Sequence, residues 1–86
     1  MPERQLKVSG ENGLHAQASA KVVQILSSYN CNVSFNLGGR EVNAKSIMGV
    51  MLLAAGPGRV ITAQAEGSDA DAALDALEDL FNRQFE

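Results

Sequence analysis

Cys31-Asn32-Val33-Ser34-Phe35-Asn36-Leu37 is the stretch that decides the fold. Apolar residues hold every odd position and polar residues every even one, the pattern of a strand with one packed and one wet face. Cys31 belongs to the packed set and reads as a small core residue. Gly38-Gly39 follows at once, two residues able to adopt positive φ, which signals a tight hairpin. Arg40 to Ala44 is then the antiparallel return strand, with Val42 facing in.

Outward from this hairpin the alternation gives way to helical spacing. On the N-terminal side, Val22, Leu26 and Tyr29, flanked by Ala18 and Ile25, form an apolar stripe that predicts a helix from about Ala16 to Ser28. Arg4 to Ser9 precedes it as a strand, with Leu6 and Val8 inward. On the C-terminal side, Ser46 is a good N-cap for a short helix over Ile47 to Leu53 that is apolar nearly all round. A short helix on a sheet buries one side only, so part of its surface is expected to remain an apolar patch. Ala54 to Gly58 is a loop without the Gly-Lys-Ser/Thr ending of a P-loop. Arg59 to Glu66 is the last strand. Ser68 caps a final helix from about Asp69 to Gln84, with Ala70, Ala73, Leu74, Leu77, Leu80, Phe81 and Phe85 inward and Asp75, Glu78 and Asp79 on a solvated face. The order predicts an α+β fold, a two-layer open-faced sandwich whose four-stranded antiparallel sheet carries three helices on one face (βαββαβα). Residues 1–86 read as a single domain.

Composition narrows the function. The net charge is −3, and the seven Lys/Arg residues are scattered along the chain, which argues against tracking a nucleic-acid backbone. With no Trp, one Tyr and three Phe there is no stacking platform for single strands. The start Met1-Pro2-Glu3-Arg4 lacks the apolar core of a signal peptide, and no apolar run approaches the roughly 18 residues of a membrane span. A cytoplasmic protein is expected, and one cysteine fits a reducing compartment. One His and one Cys fall short of a metal site, and no cofactor is implied. Ser9, Ser19 and Ser46 carry no hydrolase context, so turnover catalysis by this chain alone is not expected.

His15, the one histidine, sits on the junction between the turn-rich Gly10-Glu11-Asn12-Gly13 and the first helix. There the unpaired amides of Ala16 and Gln17 point outward and the helix dipole favours negative charge. An imidazole beside such a terminus can take up and give away a phosphoryl group, while the plain alternative is a surface histidine that ends a loop.

Two separated motifs, Gly13-Leu14-His15-Ala16 and Val42-Asn43-Ala44-Lys45-Ser46-Ile47-Met48-Gly49-Val50-Met51, carry a resemblance that spans essentially the whole chain. The sequence resembles the HPr family, the histidine phosphocarriers of the bacterial phosphoenolpyruvate-dependent phosphotransferase system. The resemblance implies that His15 receives a phosphoryl group on Nδ1 from enzyme I and passes it to an enzyme IIA domain. Asn12, Ala16 and Gln17 are then the candidate phosphate contacts. Leu14, Ile47, Met48 and Met51 are the candidate docking patch. Ser46 corresponds to a serine that a dedicated kinase modifies in many relatives, with a regulatory protein as the further partner. A monomer is expected. One departure stands out: the usual Ala-Arg-Pro after the histidine is here Ala16-Gln17-Ala18. The alternative reading is a regulatory HPr-like binding module controlled by Ser46 phosphorylation, with weak or no carrier activity.

Overall fold

The computed structural model describes residues 2–9 and 13–85. Its elements follow the expected order: β1 (Glu3–Lys7), α1 (Ala16–Leu26), β2 (Asn32–Leu37), β3 (Arg40–Asn43), α2 (Ile47–Leu52), β4 (Val60–Glu66) and α3 (Ala70–Asn82). The strands form one antiparallel sheet in the order β1-β4-β2-β3. Register explains the two faces. Phe35 lies opposite Ala63 and Val42, all pointing inward, whereas Ser34 lies opposite Gln64 and Asn43, all pointing outward. Gly38 and Gly39 take φ of 59° and 84°, so both turn residues adopt the positive φ that a two-residue hairpin requires.

The helices cover the inner face. α3 packs on β1 and β4, α2 on β3, and α1 against the other two helices. Leu6, Val8, Val33, Phe35, Ile61, Ala63 and Ala65 from the sheet meet Val22 and Leu26 of α1, Val50 of α2, and Leu74, Leu77, Leu80 and Phe81 of α3. Phe35 and Phe81 meet edge to face with ring centroids 6.2 Å apart, and Phe85 extends the cluster from Phe81 at 4.8 Å. Cys31 is a buried free thiol of this core.

Several boundaries shift for local reasons. α1 ends at Leu26 and not at Ser28, because the chain tightens into three-residue turns, with Ser28 N donating to the Ile25 carbonyl and Tyr29 N to that of Leu26. β1 ends at Lys7, although Val8 still exchanges backbone hydrogen bonds of 2.8 Å with Arg59 and Gly58. Ser68 does not cap α3. Asp69 holds the N-cap position, and its carboxylate accepts the Asn30 amide at 2.7 Å in place of an amide of its own helix. The Ser68 hydroxyl is occupied with Asn30 as well. The acids on the outer face of α3 form surface ion pairs, Arg4 with Asp75 and Glu78 and Arg83 with Asp79. Among the described residues, no helix is long and apolar enough to cross a membrane.

Candidate functional site

His15 is exposed and occupies the N-cap of α1 with extended backbone (φ −82°, ψ −175°). Its Nδ1 accepts from the amide of Gln17 at 3.2 Å and from that of Ala18 at 3.4 Å. The imidazole therefore does the work that Ser or Asp does at other helix starts. A nitrogen that accepts two N–H groups carries its lone pair, which places the proton of the neutral ring on Nε2. Nδ1 is thus the ring nitrogen whose lone pair faces the amides, and it sits at the positive end of an 11-residue helix.

The amides that donate to this atom are those of the second and third helical residues. An N-cap side chain ordinarily pairs with these two, and Gln17 and Ala18 do so here. The Gln17 side chain is exposed beside the ring. Asn12, the third candidate phosphate contact, lies outside the described residues.

Leu14 overturns its expected role. It is only 6% exposed and belongs to the core, so it offers no docking surface. Its amide donates to the Ala55 carbonyl at 3.0 Å, which draws the residue inward while its neighbour His15 turns out. Gly13 makes that approach possible. Its φ is 63°, and a Cβ there would stand 2.6 Å from the Ala55 oxygen.

The rest of the expected patch is present. Ile47, Met48 and Met51 are 43%, 68% and 42% exposed, and Leu52 joins them at 61%. Leu52 is not among the residues expected from sequence, although its position four residues after Met48 places it on the same helical face. Val50 and Leu53 are the residues this segment buries. Ser46 caps α2 by accepting the Gly49 amide at 3.2 Å, and it is half-buried. An open polar groove lined by Asn32, Ser34, Glu41, Asn43, Gln64 and Glu66 lies on the bare face of the sheet, away from the histidine.

Comparison with known proteins resolves what this site belongs to. Residues 2–83 match the family model PTS-HPr, described as the PTS HPr component phosphorylation site. The sequence is 51% identical over 85 residues to the phosphocarrier protein HPr of Xylella fastidiosa (strain Temecula1), covering 99% of this chain and 96% of that protein. It is 44% identical to the phosphocarrier protein HPr of Cupriavidus necator, with 99% and 96% covered. The crystal structure of HPr-C-His from Thermoanaerobacter tengcongensis matches with a TM-score of 0.94 at 38% identity, over 99% of this chain and 96% of that one. The chain belongs to the HPr family. It is a phosphocarrier of the phosphotransferase system, which relays phosphoryl groups between other phosphotransfer proteins and does not turn over a substrate by itself.

Proposed function

We propose that His15 is the residue that carries the phosphoryl group and that Nδ1 is the atom. The observation behind this reading is an exposed ring nitrogen, unprotonated because two backbone amides donate to it. In the forward step the Nδ1 lone pair attacks phosphorus, the donor's bond to phosphorus breaks, and its electron pair returns to the donor. The ring keeps its proton on Nε2, so the charge gained on the ring is set against the charge of the phosphoryl oxygens. The amides of Gln17 and Ala18, which lose the lone pair they had been sharing, are then placed to donate to those oxygens. Phosphorylated enzyme I is the donor, and an enzyme IIA domain is the acceptor. The protein acts as a monomeric domain over residues 1–86 in the cytoplasm.

Labelling tests the reading. With enzyme I and radiolabelled phosphoenolpyruvate the protein should acquire an acid-labile, base-stable label, and His15→Ala should acquire none. An acid-stable label, or one that survives His15→Ala, would move the phosphoryl group to another residue. Ser46 is the candidate regulatory site, acted on by a dedicated kinase. A phosphate there would add about −1.5 to −2 charge at the start of α2, next to the exposed apolar residues, and would repel an acidic partner. Ser46→Asp should fold, since Asp also caps helices, and should transfer more slowly. Unchanged transfer would sever that coupling.

A further inference from the structure

The loop that leaves α2 holds one strained residue, and it touches the loop that presents His15. Ala54 has φ of 55°, in the left-handed region that favours glycine, although its side chain is exposed. Its amide donates to the Met51 carbonyl at 3.1 Å, so it closes the last turn of α2 as the left-handed terminator of that helix. The next carbonyl, that of Ala55, accepts the Leu14 amide at 3.0 Å. Gly13 lies so close that a Cβ would also come within 3.1 Å of the Gly56 Cα.

We propose that Ala54 is a positioning residue: its left-handed turn aims the Ala55 carbonyl at Leu14 and thereby fixes where His15 stands for phosphoryl transfer. The proposal rests on the reading of His15 as the phosphoryl acceptor. The chain of contacts is short. The end of α2 sets Ala54, Ala54 sets the Ala55 carbonyl, that carbonyl holds Leu14 in the core, and His15 follows Leu14 directly. The His15 amide adds a tight bond of its own to the Gly13 carbonyl at 3.1 Å. A loop held in this way keeps Nδ1 under the amides of Gln17 and Ala18 without an ordering step at the moment of attack. The strain at Ala54 is retained because the contacts on both sides of it determine the turn.

The test exploits the solvent-facing side chain of Ala54. Ala54→Val disfavours the left-handed turn without disturbing packing, because a β-branched residue resists positive φ, whereas Ala54→Gly adopts that turn freely. Ala54→Val should lower the saturating rate of transfer from enzyme I to His15 by about tenfold while leaving half-saturation unchanged, as expected of a small misplacement. The same variant should move the Nδ1 resonance of His15 in nitrogen NMR, and Ala54→Gly should restore both readouts. A folded Ala54→Val protein with wild-type rate and wild-type Nδ1 resonance overturns the proposal. If Ala54→Val does not fold, Ala54→Leu, which also resists positive φ but lacks the β-branch, is read by the same two measurements and decides in the same way. Amide exchange in the unaltered protein is independent of any variant. Slow exchange at Leu14 is expected, and fast exchange removes the hydrogen bond on which the proposal stands. The Nδ1 resonance is read without any phosphate donor. A wild-type protein that takes no label would therefore sink the carrier reading alone, and an unmoved resonance would sink the positioning role alone.

Discussion

α2 and α3 are both rich in apolar residues, yet they use them in opposite ways. α3 has 13 residues and buries Ala70, Ala73, Leu74, Leu77, Leu80 and Phe81 against the sheet. α2 has six residues, buries Val50 alone, and leaves Ile47, Met48, Met51 and Leu52 in solvent. Four exposed large apolar side chains on two turns of helix contribute little to the fold, because burial stabilises only surface that leaves water. They suit a surface that another protein covers, with methionine adapting to the contact. The comparison teaches that one helix spends its apolar residues on the core while the other leaves them in solvent.

The strongest way to break that division is to cut into α3. Leu77 is fully buried, so Leu77→Ala should cost about 2–5 kcal/mol, a large share of the ~5–15 kcal/mol that holds an ordinary domain together. Urea denaturation measures it, and Met48→Ala is the control, expected within about 0.5 kcal/mol of the unaltered protein. Comparable losses from both substitutions would mean that α2 carries the fold after all. Next in size is Met48→Asp. The charge must be desolvated whenever a partner covers the patch, so transfer from enzyme I should slow by roughly 30-fold, while stability changes by under about 1 kcal/mol. An unfolded Met48→Asp protein would place that side chain in the core.

The fold was legible where one residue's neighbours in sequence are also its neighbours in space. Alternation over Cys31–Leu37 and the Gly38-Gly39 turn are local signals, and both stand in the structure. The placement of His15 at the start of α1 was legible for the same reason. What failed depended on distant partners. Leu14 adjoins an exposed histidine and reads as surface, but a carbonyl 41 positions later, at Ala55, holds it inside. Ser68 is a sound cap by type, but Asn30 claims both its hydroxyl and the Asp69 carboxylate. The pairing of the Gln17 and Ala18 amides with His15 Nδ1 has another origin. It follows from a histidine acting as the cap, a role that frequency rules for caps do not assign to it.

Gln17 sharpens the comparison from the side of the chemistry. A neutral amide stands where an arginine would offer the phosphoryl group a charge-assisted, bidentate contact, the kind worth roughly 1.5–3 kcal/mol. The Ala18 amide partly offsets this, since a proline at that position would have no N–H to donate. Gln17→Arg should therefore speed transfer to His15 by roughly tenfold, near the lower end of that range. Adding Ala18→Pro to unaltered Gln17 should slow transfer, because it removes one of the two donors to Nδ1. Single-turnover transfer from labelled enzyme I measures both. No gain from Gln17→Arg would mean that the backbone donors already supply what the charge would add.

The smallest effect concerns α1, the helix that both packs the core and bears His15 at its start. Ser19 is fully buried one turn after His15, and its hydroxyl has no hydrogen-bond partner among the described residues. A buried hydroxyl without a partner costs about 1–3 kcal/mol of lost hydration, and alanine is also the better helix former. Against this, Ser19→Ala gives up the packing contacts of one oxygen atom, a smaller loss. The expected net gain is about 1 kcal/mol, equivalent to a rise in Tm of about 4–8 °C in a domain of this size. The backbone bond from the Ser19 amide to the His15 carbonyl, 2.9 Å long, is untouched, so the cap and the rate of transfer should stay as they are. Thermal denaturation and the transfer assay, run side by side, decide between the outcomes. A loss of stability would reveal a bound water that the hydroxyl holds, since a buried polar site of this kind takes one when two or more partners surround it. A gain in stability accompanied by slower transfer would show that α1 cannot be tightened without disturbing His15, and the separation of folding from function would then stop at α2.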